Sequence, residues 1–475
     1  MFIHKVQIKN FRLFQTTTDF DVELNTPDKQ RCGSGLTVFV GENGCGKTAL
    51  LEAIALPIAS FKAESFNLQD FNDPTNDTEI KVLSKDQFWV DGTMPKGSFQ
   101  AKGFLFKANL RSRGTRAYLS SIVVSDQLFI KADPTTKPKD GSPDLRVSVN
   151  NPFKGKRFDE NDVLILDRNR TYQTRLGTYN STRFDRLMED FDFQHIKKNN
   201  PVPNVHEFLN ETRDGKENTF LKQAIDKFKE ISGDELSLNL INNWRPFSKG
   251  YLAVNKQNNQ QIPLDMLGSG YEMIFSFLLA FYLSQQSGKQ LICLIDEPEL
   301  HLHPALQERF VEILLEFSKT AQVVLTTHSP LFVKQLLVKN NIGIHILSKD
   351  QGVLGLVPIS TGVLPYVSSN EINYLAFNLA TAEYHDELYG HIQETQQKYR
   401  EPDMHTYLNS KGQTNTKKWN PEKSGQFQGE KDVPVQIFIR NKIHHPENKT
   451  MQSVNYSDQE LKESIDAMIN IIKNP

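Results

Sequence analysis

The chain has 475 residues, 55 Lys and Arg against 57 Asp and Glu for a formal net charge of −2, and three cysteines. That length exceeds the roughly 100–200 residues of an ordinary domain and predicts two or three of them. The even charge balance excludes a dedicated nucleic-acid coat, so any nucleic-acid contact is expected to be local. Cys32, Cys45 and Cys293 are odd in number and widely spaced, which excludes a disulfide framework and a four-cysteine zinc site and points to a reducing cytoplasm. The longest apolar run, Met273 to Leu283, is about half the ~20 residues of a membrane span, so no membrane partner is expected.

In chain order, the opening MFIHKVQIKNFRLF alternates apolar and polar residues, and Leu36 to Val40 is a β-branched run stopped by glycine. Both read as strands. From Lys47 the spacing predicts a helix to about Phe61, with Pro57 as a kink or stop. Between Lys62 and Val254 the composition turns polar and loop-rich around short strand-like runs such as GFLFKANL and DVLILD, without sustained heptads. FSFLLAFYLSQQ then reads as a buried helix, QLICLID as a buried strand, ALQERFVEILLEFSK as an amphipathic helix and QVVLTTH as a second buried strand. Strands alternating with helices predict a parallel, helix-covered sheet and an α/β fold. Past Tyr366 the pattern predicts a long helical stretch to about Tyr399, a polar loop from Leu408 to Lys431, and two more helices. The last opens on a capping box, Ser457 with Glu460, and carries Leu461, Ile465, Met468, Ile469 and Ile472 along one face.

Gly41 to Thr48, GENGCGKT, matches the phosphate-binding loop G-x-x-x-x-G-K-[ST] between a predicted strand and a predicted helix, the context the motif requires. Gly41, Glu42, Asn43, Gly44, Cys45 and Gly46 would turn backbone amides toward phosphates. Lys47 would reach the β- and γ-phosphates of ATP, and Thr48 would offer its hydroxyl to Mg²⁺. QLICLID ends in Asp296 and Glu297. Asp296 suits a Mg²⁺ shell, and Glu297 could orient or deprotonate the attacking water. His328 follows QVVLTT and could hydrogen-bond the γ-phosphate. Ser269 and Gly270, in LGSGYE at a predicted helix start, form an anion site or a simple cap. His301 and His303 lack a third ligand at metal spacing and read as turn and interface residues.

These motifs, in this order, resemble the ABC-type ATPase superfamily in the branch that contains the RecF, SMC and OLD proteins. The match assigns Walker A to Gly41–Thr48, the signature to Leu267–Glu272, Walker B with its glutamate to Leu291–Glu297, the D-loop to Glu299–His303 and the switch histidine to His328. The resemblance implies a P-loop ATPase with a split core, 1–61 and 255–365, around a lid-like insertion at 62–254, followed by a small helical module at 366–475. It also implies a head-to-tail homodimer or higher oligomer, in which Ser269 and Gly270 of one subunit close over the partner's ATP, and it places Arg12 of IKNFRLF near the nucleotide. The signature reads LGSGY rather than LSGGQ, and Gln69 is the candidate Q-loop residue. Arg168, Arg170, Arg175 and Arg183 form either a phosphate-contacting strip or a solvated face.

The C-terminal blocks EINYLAFNLATAEYHDELYG and IRNKIHHPENKT resemble the tails of ATPase subunits of Septu-type anti-phage systems (PtuA-like), which implies a sensor that controls a partner HNH nuclease. Two alternatives stay open. Arg440, Asn441 and His445 fit the R-[polar]-x3-H pattern of HEPN ribonucleases, and the opening segment fits a RecF-type DNA-repair ATPase.

Overall fold

The computed structural model describes residues 2–17, 19–56, 68–92, 97–110, 117–124, 127–131, 161–166, 220–239, 251–255, 261–263, 269–286, 288, 290–337, 342–350, 353–358, 362–366, 368–423 and 426–474. They form two compact units, Met1–Leu356 and Val357–Pro475. No helix among the described residues is long and apolar enough to cross a membrane.

The first unit opens with β1 (Ile3–Lys9), β2 (Phe20–Glu23) and β3 (Leu36–Val40), then helix α1 (Lys47–Ala55). There follow β4 (Thr78–Gly92), β5 (Gly97–Leu110), β6 (Ala117–Val124), β7 (Gln127–Lys131), β8 (Asn161–Leu166), α2 (Phe220–Ser232), β9 (Glu235–Asn239), β10 (Tyr251–Asn255) and β11 (Gln261–Pro263). Next come α3 (Ser269–Gln286), β12 (Gln290–Asp296), α4 (Pro304–Phe317), β13 (Gln322–Thr327), α5 (Pro330–Leu337), β14 (Gly343–Asp350) and β15 (Val353–Pro358), whose last two residues lie past the unit's boundary.

One sheet runs β15-β14-β3-β13-β12-β8, and its β14, β3, β13, β12 and β8 are mutually parallel. β3, β12 and β13 are the apolar runs of the sequence. Every residue of β3 and β13 is buried, as a strand covered on both faces requires. A second sheet, β2-β1-β4-β5-β6-β7, is antiparallel throughout. Strands from within 62–254 therefore belong to both sheets: β4 pairs with β1, and β8 pairs with β12.

Helix α1 packs against β12 and β13 of the first sheet and β4 of the second. Its Leu50, Ala53 and Ile54 join Ile8, Phe39, Ile80 and Val324 in one core. Behind the parallel sheet, Phe281 of α3 stacks on Phe317 of α4 with ring centroids 3.6 Å apart, and Phe277 meets Phe310 edge-on at 5.8 Å. Such pairs add about 0.5–1.5 kcal/mol beyond the area they bury.

The second unit holds α6 (Ser369–Phe377), α7 (Ala382–Gln396), α8 (Glu401–Ser410), α9 (Val435–His444) and α10 (Asp458–Lys473). The stretch expected as one helix to Tyr399 is two. Asn378, at φ 52°, closes α6 in the left-handed conformation, and the Thr381 side chain caps α7. The expected loop at 408–431 contains strands. Asn415–Trp419 pairs antiparallel with Lys431–Pro434, and Glu422–Lys423 pairs with Gln426–Phe427. Their charged residues hid them, because only Trp419 of the first strand is buried. Lys417 lies over the Phe438 ring while its ammonium pairs with Glu460.

The capping box at Ser457 and Glu460 forms as the sequence predicts. Leu461, Ile465 and Met468 are buried, Ile469 and Ile472 partly so, and Ile471 joins them in a core with Tyr384, Tyr389 and Phe438. His385 is fully buried there, 3.0 Å from Ser464 Oγ through Nε2, and burial pushes its pKa down to about 3, so it stays neutral.

Candidate nucleotide-binding site

The site is assembled where three parallel strands end. β3 delivers the loop from Gly41 to Gly46, β12 delivers Asp296 and Glu297, and β13 delivers Thr326, Thr327 and His328. Asp296 is in register with Thr326, and Thr327 with Val40, so all three chains leave the sheet at one edge. This is the edge where an open α/β sheet places ligands.

Gly46 adopts φ 90° and caps α1, whose first turn carries no acidic residue. A side chain at Gly41 would meet the Leu347 carbonyl oxygen at 2.3 Å and Cys45 Sγ at 2.8 Å. Cys45 itself is buried, and burial pushes its thiol pKa up, so it acts as packing. Lys47, only 4% exposed, donates from Nζ to the carbonyls of Gly41 at 2.9 Å and Glu42 at 3.0 Å. Its Nζ also lies 3.7 Å from Glu297 Oε1. A tight glycine loop, a helix N-terminus and a buried ammonium fit a polyphosphate. Because the neighbour at Gly41 is backbone, Gly41→Ala is expected to lose about 1–3 kcal/mol of stability and most nucleotide binding, measured by thermal melts with and without ATP.

Thr48 Oγ1 donates to Asp296 Oδ2 at 2.8 Å, and Thr326 Oγ1 donates to Asp296 Oδ1 at 2.5 Å. A hydroxyl beside a carboxylate is a hard oxygen pair that fits a divalent cation shared with phosphate oxygens. No cluster of three or more His, Cys, Asp or Glu able to hold a metal occurs among the described residues.

Glu297 is held in a left-handed backbone, φ 47° and ψ 59°, with its N–H on the Thr326 carbonyl at 3.1 Å. Non-glycine residues keep such conformations where the surroundings enforce them, commonly at functional sites. Its Oε1 lies 3.4 Å from His328 Nδ1. Glu299, in the short turn Pro298–His301, lies 3.3 Å from the same nitrogen and accepts from Thr327 Oγ1 at 2.7 Å and the His328 N–H at 2.9 Å. Burial raises the Glu299 pKa, opposed by those two hydrogen bonds.

The structure therefore brings together Lys47, Thr48, Asp296, Glu297 and His328. Thr326 and Glu299 had no individual role in the sequence reading, although two threonines at the end of a buried strand were a usable signal. Arg12 sits at φ 50°, bonds Glu52 of α1 at 2.6 Å and Asp70 at 3.3 Å, and lies over the Phe11 ring, so its charge ties the loop's helix to the short turn Leu68–Asp70. Gln69 adjoins Asp70 and is exposed. α3 begins at Ser269, and Gly270 is buried. Glu42, Asn43 and Gly44 are exposed on the loop. His303 caps α4 through Nδ1, which accepts from the Ala305 N–H at 3.4 Å. The side chain of His301, and all of Arg168, Arg170, Arg175 and Arg183, lie outside the described residues.

In the second unit, Arg440 and His445 have different neighbours. Arg440 lies over the Tyr389 ring at 5.8 Å, whereas His445, half exposed, faces Glu447 at 3.3 Å. Asn441 is buried and donates to Glu401 at 3.0 Å, which makes it a packing residue.

Residues 36–334 match the AAA_21 family, described as "AAA domain, putative AbiEii toxin, Type IV TA system". The chain is 25% identical over 349 residues to an OLD nuclease of Thermus scotoductus, covering 70% of this chain and 59% of that protein. It is 22% identical over 322 residues to protein ea59 of Escherichia phage lambda, covering 67% and 49%. It is 26% identical over 166 residues to the DNA replication and repair protein RecF of Cutibacterium acnes, covering 35% and 32%. The chain thus spans between a third and three fifths of the length of these relatives. Among solved structures, an Smc head bound to the C-terminal winged-helix domain of ScpA superposes at a TM-score of 0.47 and 16% identity, covering 76% of this chain and 99% of that one. With the family match spanning well over half of the chain and the ordered loop, carboxylate pair and histidine at one sheet edge, this protein belongs to the AAA_21 family and is an ABC-type ATPase of the RecF/SMC/OLD-like branch.

Proposed function

We propose that this chain binds and hydrolyses ATP and works as the nucleotide-reading subunit of an anti-phage defence system, controlling a partner HNH nuclease as PtuA-like subunits of Septu-type systems do. The convergence of Thr48 on Asp296 and of Lys47 and His328 on Glu297 carries the ATPase part. The triphosphate lies along the loop from Gly41, with the Lys47 ammonium exchanging its carbonyl partners for phosphate oxygens. Mg²⁺, held by Thr48 Oγ1 and Asp296 Oδ2, would neutralise charge on the β- and γ-phosphates when bound. The Glu297 carboxylate accepts a proton from the attacking water, and His328 donates a hydrogen bond to the γ-phosphate as charge develops there. Ser269 and Gly270 of a second copy complete the site across a head-to-tail dimer. Arg12 holds α1 in place through Glu52.

The defence role is supported by the toxin named in the family description, by the nuclease named among the relatives, and by a second unit that lies wholly beyond the matched residues. In this reading that unit supplies the surface for the partner. The test is purification from the native host with bound proteins identified, followed by nuclease assays with and without ATP. A co-purifying nuclease whose activity changes with nucleotide is expected. RNA cleavage by this chain alone, lost in His445→Ala with ATPase intact, would replace the partner reading with a built-in ribonuclease.

A further inference from the structure

Glu299 is a buried carboxylate with more to do than close a turn. Only 8% exposed, it directs Oε1 at three groups of two consecutive residues: the Thr327 hydroxyl at 2.7 Å, the His328 N–H at 2.9 Å and His328 Nδ1 at 3.3 Å. Its Oε2 is buried without a hydrogen-bond partner. Leaving half of a carboxylate unsatisfied in a buried place is costly, and a neutral side chain would close the same turn more cheaply. A carboxyl group kept there at a cost points to a use for it.

The use follows from the second carboxylate. Glu297 Oε1 approaches the same His328 Nδ1 at 3.4 Å. His328 Nδ1 is buried and makes no aligned hydrogen bond, yet with two carboxylate oxygens within 3.4 Å it is the nitrogen on which those acceptors favour the proton, and the other is then left to face the ligand side. Turning the ring over would set a C–H against both carboxylates. The His328 side chain keeps 31% of its surface exposed, so the far edge of the ring is reachable. We infer that Glu299 is the positioning residue of the switch histidine: its carboxylate locks the His328 main chain and its Nδ1–H tautomer, so that Nε2 is presented to the γ-phosphate. Glu297 is thereby left to act on water while Glu299 holds the ring.

This inference rests on the ATPase reading, and two readouts separate their failures. Glu299→Gln keeps the size and an oxygen that can still accept from Thr327 and the His328 N–H, but it removes the second carboxylate oxygen. In the full chain it is expected to lower kcat for ATP roughly 10- to 100-fold while KM stays within about twofold, because the loop and Lys47 are untouched. ¹⁵N spectra of histidine-labelled protein are expected to show His328 as the Nδ1–H tautomer in the wild type, and to show Nε2–H gaining in Glu299→Gln. Should Glu299→Gln fold poorly, Thr327→Val, which withdraws the hydroxyl holding the carboxylate, is expected to give the same pattern more weakly. Wild-type kcat with an unchanged His328 tautomer in either folded variant would reduce Glu299 to a turn anchor and overturn the inference. Absence of ATP hydrolysis by the wild type would sink the ATPase reading instead, and the tautomer would still decide the role of Glu299.

Discussion

Glu297→Gln is expected to retain ATP and to lower its hydrolysis by about 10²–10⁴, the range that a positioned general base contributes. The carboxylate is 3% exposed, fixed by a left-handed backbone, and flanked by Lys47 Nζ at 3.7 Å and His328 Nδ1 at 3.4 Å. Gln has the same shape and can keep the neighbouring contacts, but it cannot take a proton from water. Binding should change little because the amide leaves the loop and the Thr48–Asp296 pair in place. The measurement is single-turnover phosphate release beside a nucleotide titration. Turnover equal to wild type would remove Glu297 from the chemistry and leave Asp296 or a partner residue to supply the base.

Lys47→Ala is expected to act on the other parameter. A buried charged group that hydrogen-bonds its ligand is worth about 1.5–3 kcal/mol, so ATP affinity should fall roughly 10- to 100-fold. Two loop carbonyls, those of Gly41 and Glu42, also lose their donor, and Glu297 loses its nearby cation. Some loss of stability in the nucleotide-free protein is therefore expected as well. Isothermal titration with ATP and Mg²⁺, paired with a melt of the free variant, separates the two effects. Wild-type affinity in a folded Lys47→Ala protein would overturn the phosphate-loop assignment.

Most of the core was legible because its signals are local. Leu36–Val40, Gln290–Asp296 and Gln322–Thr327 are short apolar runs bounded by glycine or by charge, and they became the three central strands. The capping box at Ser457 needs only four consecutive residues to be recognised. What escaped was structure whose stabilisation comes from elsewhere in the chain. Asn415–Trp419 is mostly polar and becomes a strand because Trp419 finds Phe438 and Lys417 finds Glu460. Asn378 splits a helical pattern because an asparagine tolerates the left-handed backbone that ends one helix, and Thr381 caps the next.

The residue types and order of the site, from Gly41 to His328, were determined by the sequence alone, since phosphate binding needs a glycine loop ending in lysine and hydrolysis needs acids at a strand's end. Only the tertiary structure decided which atoms meet. The parallel register of β3, β13 and β12 brings Thr48 to Asp296 across 248 positions of chain and places Thr326 against the same carboxylate. Likewise, Glu299 reads as one more acidic residue in a turn until the register of β12 and β13 sets it beside Thr327 and His328. Spacing along a chain reports which groups are present, and hydrogen-bond geometry between strands far apart in sequence decides which of them act on one another.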